Sequence, residues 1–197
     1  MLHPILDRVK SLGYAVFDNG DYDLNIIGVR KKQGAVANTF DDVLHCIFKV
    51  NGQWRDHFWP ITTEPGHHYM MSKDRQLNKL GTAILVPGQY RGVYKIDKHG
   101  KSRYEALCQR NGKVKVWRDE DRSDAVDWDQ FDSSVEGWYG INIHRAGANS
   151  MQIDKWSAGC QVFQRASDFD SFMELVKASE ALYGHKFTYT LIDEETP

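Results

Sequence analysis

A chain of 197 residues is long enough to bury one substantial core and short for two full domains. Hydrophobic residues at 41% and charged residues at 26% sit near the globular average, so a soluble folded protein is expected. With 25 Lys and Arg against 27 Asp and Glu the formal charge is −2, which leaves no electrostatic footprint for nucleic acid.

No stretch has the ~18 apolar residues that a membrane span needs. Asp7, Arg8 and Lys10 interrupt the N-terminus where a secretory signal would be apolar, so synthesis in the cytoplasm without a signal peptide is expected. The three cysteines, Cys46, Cys108 and Cys160, are widely spaced and form no CxxC. That argues against a disulfide framework and a zinc knuckle, and reduced thiols are the default.

In chain order, residues 3–12 predict a helix. Pro4 stands near its start, Ile5, Leu6, Val9 and Leu12 repeat at helical spacing, and Gly13 stops it. Residues 1–24 read as a helical appendage on the main fold. YDLNIIGVR (22–30) predicts a strand, and the overlapping basic run VRKKQ (29–33) a solvated loop. DVLHCIFKV (42–50) and WRDHFWPI (54–61) are strands on either side of an Asn51-Gly52 hairpin turn. Residues 62–66 are a loop, and His67 and His68 are placed in a loop beside Gly66. GTAILVPGQYRGVYKI (81–96) reads as strand, Pro-Gly turn, strand, and 104–119 as a second Asn-Gly hairpin. Residues 119–134 are acidic and aperiodic, hence a surface loop.

WYGINIHRAG (138–147) predicts a short buried strand with a polar end, followed by a loop to 156. Residues 167–184 predict one long helix with Ser167 as N-cap and Phe169, Phe172, Met173, Leu175, Val176 and Leu182 on its apolar face. KFTYTLI (186–192) closes with a strand. The expected fold is therefore mainly β, a β-rich α+β domain: a sandwich or half-open barrel with one long C-terminal helix and an N-terminal helix.

The chemistry concentrates near WSAGCQVF (156–163). A thiol is a poor nucleophile until it loses its proton. A histidine can take that proton and pass it to a leaving group. His144 ends an apolar strand, and Cys160 follows sixteen positions later on a Ser157-Ala158-Gly159 turn. Gly159 permits the tight backbone that would expose a thiol. Taken as residue types alone, Cys160 fits a core thiol better than a nucleophile. Other arrangements fit less well. His45 and Cys46 are strand neighbours on opposite faces. His57, His67 and His68 lack the companions of a metal site, and no metal or cofactor is expected. Cys108 alternates within a strand as a core residue.

INIHRAG (141–147) followed by WSAGCQVF resembles the signature of L,D-transpeptidases of the YkuD type: a strand ending in His, a loop, then Ser-His-Gly-Cys and an apolar residue before Arg or Asn. FKVNGQWRDHFWPITTEPG (48–66) looks like the family's opening hairpin, and VPGQYRGVYKI (86–96) like its T-P-x-G-x-F-x-I segment. The resemblance covers about residues 25–192, within a catalytic domain at 25–197 that carries 98–137 as an insertion or lid.

The resemblance implies Cys160 as nucleophile and His144 as base, with Ser157 and Gly159 completing the catalytic turn and its backbone N–H groups as oxyanion donors. Ala158 stands where the family has a second histidine and Val162 where it has Arg or Asn. Arg145, Trp156 and Tyr139 are the candidate substrate-binding side chains beside them. The implied activity is acyl transfer at a peptide bond next to a D-amino acid in peptidoglycan stem peptides. A Cys160 thioester would pass to water or to an amine, and the absent export signal favours hydrolysis. The partner is then a peptidoglycan peptide, with no nucleic acid and no membrane. Action at the wall requires lysis, injection or another delivery route. Two alternatives stay open: a cysteine amidase or transferase on a cytoplasmic, non-wall amide, and an inactive wall-binding module.

Overall fold

The structure is a computed structural model that describes residues 3–72 and 80–194. Its strands are β1 (Asn25–Arg30), β2 (Asp42–Val50), β3 (Gln53–Thr62), β4 (Thr82–Leu85), β5 (Gly88–His99), β6 (Tyr104–Gln109), β7 (Val114–Asp119), β8 (Val135–Gly137), β9 (Ile143–Arg145), β10 (Gln161–Phe163) and β11 (Phe187–Asp193). The helices are α1 (Pro4–Ser11), α2 (His67–Met70) and α3 (Ala166–Tyr183). The fold is mainly β, as the alternating segments predict.

Eight strands close a barrel in the order β1-β11-β5-β6-β9-β10-β3-β2, and β4, β7 and β8 form a separate three-stranded sheet. The barrel is closed where a half-open one was expected, because β1 pairs with β11 on one side and β2 on the other. Closure removes the sheet edges that would otherwise need protection. Two pairings are parallel, β1 with β11 and β9 with β10.

Period-2 alternation divides the strands between two clusters. On β2, Leu44, Cys46 and Phe48 enter the main core, with Tyr94, Leu107, Ile143, Phe163 and Tyr189. Ile47 faces the other way and joins Ile27, Ile192 and the buried Leu6 and Val9 of α1. The N-terminal helix thus covers an apolar patch on the opposite barrel face. His3 caps it, its Nδ1 accepting the Ile5 N–H. On α3, Phe169, Phe172, Met173 and Val176 pack into the main core, and the Phe172 and Phe163 rings lie 5.1 Å apart. No helix among the described residues is long and apolar enough to cross a membrane.

Several local expectations change. The Asn51-Gly52 turn forms as predicted, both residues having positive φ (52° and 73°), which a tight hairpin of this type requires. The Asn111-Gly112 pair makes no hairpin: neither residue has positive φ, and β6 joins the barrel while β7 joins the second sheet. The Arg110 and Asn111 N–H groups both donate to the Val93 carbonyl, which ties the turn to β5 instead. α3 starts at Ala166 with Arg165 as N-cap and no side-chain cap, so Ser167 lies inside the helix. His67 and His68 begin α2 rather than a loop. The strand expected at 138–147 shrinks to β9, and β10 was not foreseen.

Candidate active site

β9 and β10 place the chemistry. They run parallel, with Ile143 opposite Gln161, His144 opposite Val162, and Phe163 opposite Arg145. Paired residues share a face, and Cys160 lies two positions before Val162. His144 and Cys160 therefore project on the same side of the barrel wall, while Ile143 and Phe163 point into the main core. The crossover between them is pinned along its length. The Ala146 N–H donates to Phe163 O, the Ile153 N–H to Asn38 O, and Ser157 O accepts the Gly66 N–H.

The turn before Cys160 is built around a buried hydroxyl. Ser157 Oγ donates to the Cys160 carbonyl at 2.8 Å and accepts the Gly159 N–H at 3.1 Å. Gly159 has φ of +119°, and a Cβ there would lie 2.2 Å from the Ala83 carbonyl of β4. Only glycine fits this approach. Ser157 and Gly159 thus shape the turn. The Gly159 N–H is taken by Ser157 and drops out as an oxyanion donor. The Cys160 N–H, like the Ala158 N–H, has no hydrogen-bond partner among the described residues and stays available as a donor.

Cys160 is half-buried. Its sulfur receives the Asn142 N–H at 3.5 Å and approaches Gly140 O at 3.4 Å. Burial pushes its thiol up to about 11, against a smaller lowering by the Asn142 N–H. His144 is 5% exposed, and burial, then His99, push its imidazole down to about 3. Near neutrality the site therefore holds a thiol and a neutral imidazole. Arg145 O lies 3.0 Å from His144 Nδ1. A carbonyl only accepts, so Nδ1 carries the proton and Nε2 keeps its lone pair for a thiol proton. No hydrogen bond joins the two side chains among the described residues, but both line one cavity of about 450 Å³.

Arg145 and Trp156 line that cavity too, as does Ala158. The Arg145 guanidinium stacks 4.7 Å over the Tyr104 ring. Trp156 is 44% exposed at the rim. Tyr139 lies apart, in a neighbouring hollow of about 290 Å³ under the Arg118 guanidinium, and Tyr69 and Ala158 border both spaces. Val162, at the position of the family's Arg or Asn, is fully buried with Phe40, Ala146 and Ile153, and faces no substrate.

A larger cavity of about 750 Å³ lies beyond Lys155 and Trp156, beside His67 and His68, and has no cysteine in its lining. His57 does not border it. Its ring packs near Phe48 and Trp59 on β3. No group of His, Cys, Asp and Glu suited to a metal ion occurs among the described residues.

Three neighbours escaped the sequence reading: His99, Tyr104 and Asn142. The Gly100 turn that joins β5 to β6 was the available signal, since it places His99 opposite Tyr104. No protein-family model, curated protein or solved structure matches the chain.

Proposed function

We propose that the protein is a cysteine-dependent acyl-transfer enzyme acting on peptide bonds next to D-amino acids in peptidoglycan stem peptides. The observation that carries the reading is the shared face of β9 and β10. It sets a neutral His144, with its Nε2 lone pair available, beside the Cys160 thiol in one cavity.

In the proposed step His144 Nε2 takes the thiol proton as sulfur bonds to the substrate carbonyl carbon. The negative charge moves to the carbonyl oxygen, where the Cys160 N–H donates. The C–N bond then breaks, and the His144 imidazolium returns its proton to the leaving amine. The resulting thioester passes to water, giving a carboxylic acid, or to an amine, giving a new amide. The choice of stem peptide rests on the resemblance of 141–147 and 156–163 to the L,D-transpeptidase signature. Action at the wall further requires delivery to it.

A second reading, acyl transfer at a different amide, draws on Ala158 and on the buried Val162, which withdraw two side chains the family uses beside its nucleophile. Incubation with defined muropeptides, read by mass spectrometry beside Cys160→Ala, separates the two. Loss of a terminal D-residue, opening of a cross-link, or exchange with an added D-amino acid supports wall chemistry. Unchanged muropeptides with a Cys160 still rapidly acylated by simple activated amides favour the second reading.

A further inference from the structure

His99 lies outside the motif that carries the proposed nucleophile and base, yet it stacks on the base and lines the nucleophile's cavity. It ends β5 directly across from Tyr104 at the start of β6. Its imidazole stacks on that of His144 with centroids 4.1 Å apart and planes inclined by 23°. Asn142 holds its edge. Asn142 Oδ1 accepts the Gln109 N–H at 2.9 Å, which fixes the amide's orientation. Its Nδ2 therefore donates to His99 Nδ1 at 3.1 Å. An accepting Nδ1 puts the proton of neutral His99 on Nε2. The backbone N–H of the same Asn142 reaches Cys160 Sγ. The Tyr104 hydroxyl completes the enclosure, 3.4 Å from His144 Nδ1 and donating to Arg145 O at 3.3 Å.

We propose that His99 is a positioning residue for the base: it holds the His144 imidazole in the cavity of Cys160 and keeps it uncharged and able to accept a proton. This inference rests on the acyl-transfer reading of Cys160 and His144.

Two imidazoles stacked this closely cannot both carry a charge without strong repulsion. Burial holds His144 down, with His99 the next contribution. Burial and the Arg110 guanidinium hold His99 down in turn. The other titratable groups that share the cavity with His144 among the described residues are Tyr69 on α2, Tyr104 on β6, Arg145 beside it, Cys160, and Lys101 and Lys155 from flanking loops. Among the described residues no carboxylate lines this cavity. Glu105, Asp170 and Glu174 border a separate hollow that Arg145 also lines, and Glu105 pairs there with Lys98 and Lys177. With no anion to steady an imidazolium, a stacked neutral ring is the partner that suits a base. The ring also enters the cavity from β5, where Ala158 of the turn offers no second histidine.

The test uses the intact protein, labelled with ¹⁵N-histidine, together with His99→Phe and His99→Gln. Phe keeps a flat ring but neither charges nor accepts from Asn142. Gln restores an acceptor without the ring. Wild-type His144 should show a neutral imidazole protonated at Nδ1 between about pH 5 and 8. In His99→Phe its charging should move to higher pH, and alkylation of Cys160 by iodoacetamide should slow at least about tenfold. His99→Gln should recover part of that rate. If both variants leave the His144 titration in place and alkylate Cys160 within about twofold of wild type, His99 is structural only and the proposal is overturned. A wild type inert toward stem peptides would count against the acyl-transfer reading and leave this readout intact.

Discussion

Ser157→Ala separates a turn-shaping hydroxyl from a reacting one. Ser157 is fully buried and spans the turn with two hydrogen bonds, to the Cys160 carbonyl and from the Gly159 N–H. Alanine removes both while barely changing side-chain volume. The Gly159 N–H is buried, and stranding such a donor costs about 1–3 kcal/mol. The Cys160 carbonyl is partly buried and regains some water, so its loss adds about 0.5–1 kcal/mol. The expected destabilisation is about 1.5–4 kcal/mol, or a fall in Tm of roughly 3–16 °C for a chain of this size. Urea denaturation followed by tryptophan fluorescence measures it. Turnover should fall by about tenfold or more, because the thiol is no longer held in register with His144. A loss under about 0.5 kcal/mol with unchanged turnover would refute the claim that this hydroxyl holds the turn together.

Gly159→Ala should be worse, since the new Cβ would sit 2.2 Å from the Ala83 backbone oxygen at a φ of +119°. A cost above about 3 kcal/mol is expected, read as a lower urea midpoint or as loss of soluble folded protein, and near-wild-type stability would contradict the close approach of turn and β4. The His144 imidazole charges less readily folded, at about 3, than unfolded, at its ordinary 6.5. Its contribution to stability is therefore complete above pH 6.5 and lost as the pH falls from 6.5 toward 3, a loss of order 5 kcal/mol at 1.36 kcal/mol per pH unit. His144→Asn should flatten that acid limb in denaturation curves taken at successive pH values. An unchanged limb would place the acid sensitivity elsewhere.

The legible parts of the fold were those with local chemistry. Asn51-Gly52 supplies two positive-φ residues between alternating strands, and Phe169, Phe172, Met173 and Val176 of α3 recur at helical spacing. The same dipeptide at 111–112 misled, because the Val93 carbonyl outcompetes hairpin pairing and no local signal reports a distant acceptor. β9 and β10 have three residues each, too few to show a period, and their parallel pairing is a tertiary fact. At the candidate site, Cys160 and His144 were singled out by the motif resemblance of 141–147 and 156–163, since residue type alone favoured a core thiol, and the structure brings both to one cavity with Arg145 and Trp156. Tyr139 was placed one hollow too close. His99 was missed because its stack depends on where β5 ends, which only the Gly100 turn hinted at.

The most direct test of the central claim is the mass of the protein itself during reaction. The protein is mixed with a stem tetrapeptide, quenched in acid and weighed intact, then digested to locate any adduct. The account predicts a gain equal to the acyl fragment, carried by the peptide that contains Cys160, released by hydroxylamine and absent from Cys160→Ala. No gain at Cys160, or the same gain in Cys160→Ala, would contradict it.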